Sequence, residues 1–279
     1  MINFCQISPT AHLEDFCTFN NVHLILAHLV ESDPVYTEWY KDRQELKIID
    51  NGIFEMFKQG RPPFDPDKLL EMAQQVEADV IVMSDYPNQH SSVTIEAAEK
   101  LAPIFHNNGF KTFFVPQSNM GDIEDYINAC EYGATSDNVD FLGISILGVP
   151  LAFGNIEKDN KLQRFLSRWK MMQILEHRGI LQKIKDNGKK IHFLGALDGW
   201  PGEVQLCKDY HDDIFSWDSS GAVWLGLHAN LRYDNSPTCQ IDGKYEHEVL
   251  FDYATTDQTR IDNALYNIKY LLNTGYGKL

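Results

Sequence analysis

Apolar residues in this chain gather in short unbroken runs separated by longer stretches of helical periodicity. The runs at 22–30, 46–50, 79–85, 110–116, 140–147, 190–197 and 213–218 lack the apolar–polar alternation of a half-exposed strand, which is the pattern of strands buried on both faces. The stretch 223–228 is the candidate eighth. Between the runs, 65–77, 92–107, 121–133, 160–186 and 201–210 repeat apolar residues every three or four positions and predict helices, with a final amphipathic helix at about 257–273. Entry signals agree with several starts: Asp65 followed by Pro66, Ser91 or Ser92 before Val93, and Gly121-Asp122 before Ile123. Strand–helix alternation with short loops predicts an α/β fold, a (β/α)8 TIM-like barrel forming a single domain over 1–279. A doubly wound sheet shares the alternation, but gathers strand ends only around its switch point. The basic stretch 158–190 reads as a helical insertion. The segment 229–247, with Asn230, Asn235, Pro237, Asp242 and Gly243, reads as a long loop or hairpin in a C-terminal loop/helix extension.

Several apolar runs end in a chemically capable side chain: KIIDNG at Asp50, VIVMSD at Asp85, FFVPQS at Gln117 and FSWDSSG at Asp218. Ser145 and Asp198 occupy similar ends. In a barrel the C-terminal ends of the strands carry the chemistry, so these residues are expected on one face. Each also has a plain structural role open to it. Asp50 suits a cap on the Asn51-Gly52 turn, Asp85 a cap at the end of its strand, Gln117 an amide satisfying loop backbone, and Asp218 a cap before Ser219-Ser220-Gly221. As chemistry, Asp50 and Asp218 suit a carboxylate pair acting as nucleophile and acid/base. Asp85 and Gln117 suit recognition of a guanine-like edge, the carboxylate accepting from adjacent N–H groups and the amide donating to a carbonyl. Tyr86, Phe54 and Phe114 are close enough in sequence to offer a stacking wall, although aromatics beside strands are more often core.

Composition narrows the setting. The five cysteines (Cys5, Cys17, Cys130, Cys207 and Cys239) are scattered and odd in number, the pattern of a reducing cytoplasm rather than a disulfide framework. No apolar run approaches the roughly 20 residues of a membrane span, and the N-terminus lacks the features of a signal peptide. A soluble cytoplasmic protein with no membrane partner is the expectation. The ten histidines show neither HxH nor HExxH spacing, and no GxGxxG, P-loop or GxSxG motif is present, so neither a cofactor nor a metal is expected. His28 and His228 read as structural.

The formal net charge is −16, which disfavours a nucleic-acid partner, but the charge is unevenly spread. Ten of the 24 basic residues lie between Lys158 and Lys190 against three acids, so this segment carries +7 and the rest −23. Leu162, Phe165, Leu166, Trp169 and Met172 form one helical stripe there, flanked by Lys161, Arg164, Arg168 and Lys170. A basic face packed on a barrel can meet a phosphate backbone, or it can be a solvated surface.

The order DNGIFE, VIVMSDYP, FFVPQS, FLGISILGVPLAFG, IHFLGALDGWPGEV and DIFSWDSSG resembles the tRNA-guanine transglycosylase superfamily over about 46–221. No cluster of cysteines and a histidine like that family's zinc site follows residue 221, and on that ground the chain most resembles the zinc-free DpdA-type 7-deazaguanine DNA transglycosylases of bacteria and bacteriophages. The resemblance implies that guanine in DNA is exchanged for a free 7-deazaguanine such as 7-cyano-7-deazaguanine. It implies Asp218 as nucleophile on the sugar C1′ and Asp50 as general acid/base. It further implies Asp85 and Gln117 as the grip on the base, with Leu147, Gly148 and Val149 lining the pocket. Lys161, Arg164, Arg168 and Lys170 become the candidate contacts to DNA, and the location becomes a host cytoplasm if the chain is phage-encoded. The alternatives are a related enzyme acting on tRNA, a barrel glycosidase or lyase acting on a small phosphorylated or glycosidic substrate, and a catalytically dead binding module.

Overall fold

The computed structural model describes residues 2–58, 60–154, 161–196, 201–233 and 250–273. Among the described residues eight strands occur: β1 Asn3–Gln6, β2 Val22–Leu26, β3 Leu46–Asp50, β4 Val80–Val82, β5 Lys111–Phe114, β6 Phe141–Gly143, β7 Lys190–Phe193 and β8 Ile214–Ser219. They form one sheet in the order β1-β8-β7-β6-β5-β4-β3-β2, with helices between successive strands, which defines an α/β fold of the (β/α)8 TIM-like barrel class.

Two compact units make up the chain, Leu24–Phe193 and Met1–His23 with Leu194–Leu279. In the larger unit β3 through β7 pair in parallel, in registers such as Ile49 with Ile81 and Val82 with Phe113. Ile48, Ile49, Val80, Ile81 and Phe113 are fully buried, which explains why these strands read as continuous apolar runs. In the smaller unit β1 pairs with β8, setting Cys5 beside Asp218. Its helices Gly221–Leu227 and Gln258–Leu271 pack so closely that a Cβ on Gly226 would lie 2.2 Å from the backbone nitrogen of Ala264.

Several expected elements are corrected. The segment 223–228 is no strand but belongs to the helix Gly221–Leu227. Residues 222–227 of that helix are all buried, so no polar face marks its period. The eighth strand is β1. The run 22–30 is strand only to Leu26 and then turns into the helix Ala27–Ser32. The run 140–147 is strand only to Gly143 and leads into the helix Gly148–Ala152. The stretch 160–186 is two helices, Lys161–His177 and Ile180–Asp186, parted at Gly179, whose φ of +73° suits glycine. Asp65 and Asp122 cap as expected, accepting from the backbone N–H of Asp67 and Asp125. At 91–107 the cap is His90, not a serine, with Nδ1 accepting from Ser92 N–H. Of the loop 229–247, residues 234–247 lie outside the described residues, as does Asp198.

Candidate functional site

The larger unit builds a polar cluster from the ends of four adjacent strands, beginning with Asp50, the last residue of β3. Its Oδ2 accepts from Gly52 N–H at 3.1 Å, tightening the turn. Gly52 has φ +68°, and a Cβ there would stand 3.1 Å from the Phe64 ring, so both conformation and space call for glycine. Between them Asn51, only 5% exposed, turns inward. Its Oδ1 accepts from Ile53 N–H at 3.0 Å, and its Nδ2 donates to the Met83 carbonyl at 2.8 Å and to Asp85 Oδ1 at 2.7 Å. The backbone partners fix which way this amide points.

Asp85, three residues past β4, is 3% exposed, and Gln117, three past β5, is 4% exposed. Gln117 Nε2 donates to Asp85 Oδ2 at 2.6 Å. The carboxylate is thus gripped by one amide on each oxygen, and each oxygen keeps acceptor capacity for a further donor. Burial pushes the Asp85 carboxyl up to about 6, against the opposing pull of the two amide bonds. Beyond β6, Ser145 Oγ accepts from both Leu147 N–H and Gly148 N–H at 3.2 Å. A Cβ on Gly148 would sit 3.4 Å from Gln117 Oε1 and 3.5 Å from Ser145 Cβ. Gly148 therefore leaves open the space beside the Gln117 amide oxygen.

The fold accordingly brings Asp85, Gln117, Gly148 and Ser145 together, with Asp50 on the Asn51 turn. Val149 is buried and Leu147 is on the surface. Asn51 is the residue that sequence reasoning missed: an Asn before Gly was assigned to the turn, whereas its side chain ties β3 to the residues after β4. Of the three aromatics, Phe54 is exposed, Tyr86 is half-buried, and Phe114 is core, edge-on to Tyr132 at 5.2 Å.

In the smaller unit Asp218 is buried within β8, its Oδ1 accepting from Gly195 N–H at 2.8 Å and its carbonyl from Ala196 N–H at 2.9 Å. Cys5, its register partner, has its thiol pushed up by burial and then by the charge of Asp218. Ser219 Oγ accepts from Gly221 N–H at 3.0 Å, fixing the small-residue turn that follows. His228 stacks against Trp224 and Tyr253, with ring centroids at 4.4 and 4.3 Å. Burial lowers the pKa of His28, in the larger unit, to about 4.

The basic segment differs from expectation. Arg168 is 0% exposed, its guanidinium 4.7 Å from the Phe193 ring centroid, so it is a core cation and does not present charge to a phosphate. The apolar stripe is correspondingly rotated: Phe165, Met171, Met172 and Leu175 are buried, while Leu162 and Leu166 are exposed. Arg178 and Lys183 pair with Glu124 and Glu131. Lys170 is exposed and Arg164 half-buried, and the side chain of Lys161 lies outside the described residues.

Among the described residues no group of three or more His, Cys, Asp or Glu is arranged to hold a metal, and no helix is long and apolar enough to cross a membrane. What fold and cluster define together is a (β/α)8-type protein with a buried carboxylate held between two amides at its strand ends. The chain matches no protein-family model and no curated protein.

Proposed function

We propose that this protein is a base-exchange transglycosylase that replaces guanine in DNA by a 7-deazaguanine such as 7-cyano-7-deazaguanine. The observation that carries the reading is Asp85, held between Asn51 and Gln117 with acceptor capacity to spare beside the space left by Gly148. A buried, fixed acceptor at a strand end suits the N1–H and N2–H₂ edge of guanine, a purine with two adjacent donors. Reaching such a site requires the nucleotide to be flipped out of any duplex.

The chemistry follows a double displacement. The Asp218 carboxylate forms a bond to the sugar C1′ as the C1′–N9 bond breaks, and the departing base takes a proton from Asp50. The incoming base then returns a proton to Asp50 as its ring nitrogen displaces the carboxylate. Asp50 and Asp218 belong to different compact units, and these two roles are what the resemblance to the tRNA-guanine transglycosylase superfamily implies.

A second reading, exchange or hydrolysis of a small glycosidic substrate, is favoured by the burial of Arg168 and the pairing of Arg178 and Lys183 with acids in a chain of net charge −16. Incubation with labelled 7-cyano-7-deazaguanine and, in parallel, guanine-containing DNA, tRNA and free guanosine separates the readings. Label in DNA supports the proposal, label in tRNA moves the substrate to RNA, and turnover of guanosine alone favours the small substrate.

A further inference from the structure

The bond between Gln117 and Asp85 is short for its type. At 2.6 Å it lies below the usual N–H···O range of about 2.7–3.2 Å and inside the O–H···O range of about 2.5–3.0 Å. Asn51 donates to the other carboxylate oxygen in an orientation fixed by Met83 and Ile53, so a proton on Asp85 belongs on Oδ2, facing Gln117. A Gln amide is nearly symmetric in shape, and turning it by half a rotation exchanges a donor for an acceptor at that contact. Gln117 Oε1 accepts from no described residue although the side chain is almost wholly buried, and it borders the space left by Gly148. An acceptor held there with no partner among the described residues is an invitation to a ligand donor.

We propose that the Asp85–Gln117 pair sets the polarity of the site. Gln117 turns its amide oxygen toward the ligand while Asp85 is ionised and its amino group while Asp85 is protonated. The protonation state thereby decides whether the bound edge donates or accepts a hydrogen bond at Gln117. With Asp85 protonated, its proton goes to Gln117 Oε1, the released Nε2 faces the carbonyl of guanine, and Oδ1 still accepts from the base. With Asp85 ionised, the exposed Oε1 accepts from an amino group at the same ring position, as in 2,6-diaminopurine.

Other groups near Asp85 leave it as the one that changes charge. The field of Asp85 reaches Tyr126 on the helix Ile123–Thr135, which burial, Cys130 and Asp85 hold well above the ordinary phenol range against the opposing charge of Arg168. Burial pushes the Cys130 thiol up as well. Both stay neutral from pH 5 to 8, and Asp50 sits on the Asn51 turn with its Oδ2 on Gly52 N–H.

The test begins without ligand. In ¹⁵N spectra the side-chain amide of Gln117, assigned by its absence in Gln117→Met, is expected to shift between pH 8 and pH 5 with a midpoint near 6, and not to shift in Asp85→Asn. If Asp85→Asn does not fold, Asn51→Ser, which removes a donor to the carboxylate, is expected to move the midpoint upward. A Gln117 amide insensitive to pH, or one that titrates equally in Asp85→Asn, overturns the proposal. The ligand consequence rests on the base-binding reading: the affinity ratio of guanine to 2,6-diaminopurine is expected to rise about tenfold as pH falls from 8 to 5. A titrating amide without base exchange defeats the transglycosylase reading alone, and base exchange with a fixed amide defeats the switch alone.

Discussion

Gln117 Nε2 donates to Asp85 Oδ2 at 2.6 Å, joining the segments that follow β4 and β5 through a carboxylate almost out of contact with solvent. With Asn51 on the other oxygen, the charge is buried but not unpaired. Two neutral amides compensate a buried carboxylate only partly, which is why burial still dominates its protonation.

This leaves a signature in stability against pH. Asp85 has its pKa raised from 3.8 to about 6, so its protonated form favours the fold. Its contribution is fully present below the unfolded value, is lost as pH rises through about 6, and amounts to on the order of 3 kcal/mol over the whole range. His28 acts oppositely: its pKa is lowered from 6.5 to about 4, so its contribution is present above 6.5 and lost as pH falls toward 4. Comparison with Asp85→Asn cancels the histidine. In urea titrations the stability of Asp85→Asn relative to wild type is expected to improve by on the order of 1 kcal/mol from pH 5 to pH 8, and a constant difference counts against the assignment.

Asn51 ties the β3 turn to Asp85, and its loss is felt by three groups at once. Asn51→Ala leaves the Met83 carbonyl, the Ile53 N–H and one oxygen of Asp85 without this partner, a cost of about 2–4 kcal/mol in chemical denaturation. A loss below about 0.5 kcal/mol would show that the amide is replaceable by water.

Gly226 tests the helix packing of the smaller unit. A methyl group there meets the backbone nitrogen and Cα of Ala264 at 2.2 and 2.4 Å, and neither helix backbone can yield as a flexible side chain would. Gly226→Ala is expected to lower stability by about 3 kcal/mol or more in thermal or urea unfolding, despite the better helix propensity of alanine.

Cations of the basic segment divide by burial. Arg168→Met removes a buried charge and its contact with Phe193, so a change in unfolding midpoint is expected with no specific effect on salt dependence. Arg164→Glu with Lys170→Glu is expected to leave the midpoint within about 0.5 kcal/mol of wild type while weakening DNA binding and flattening its dependence on salt. An unchanged salt slope in the double variant removes this face from the interface.

Much of the strand-end placement was legible because strands buried on both faces end where the apolar run ends. Asp50, Asp85 and Gln117 stand at or just beyond β3, β4 and β5 for that reason. Helices without a polar face were not legible. AVWLGL at 222–227 is apolar and partly β-branched, and complete burial erased the periodicity that distinguishes helix from strand. The four residues of β1 were too short a run to stand out. Arg168 was read as surface from its charge, although it lies three residues after Phe165 and four before Met172, on the buried stripe. Asn51 was hidden by its own likelihood as a turn residue, since a turn assignment says nothing of where the side chain goes.

The most direct test of base exchange follows guanine leaving DNA rather than label entering it. DNA carrying radiolabelled guanine is incubated with the protein, with and without 7-cyano-7-deazaguanine, and free guanine is measured alongside the modified base in the DNA. Guanine release that requires the added base, equals its incorporation mole for mole, and is lost in Asp218→Asn and in Asp85→Ala is the expected result. Absence of release, or release that proceeds without any incorporation and survives loss of the Asp218 carboxylate, would contradict the assignment of this protein as a transglycosylase.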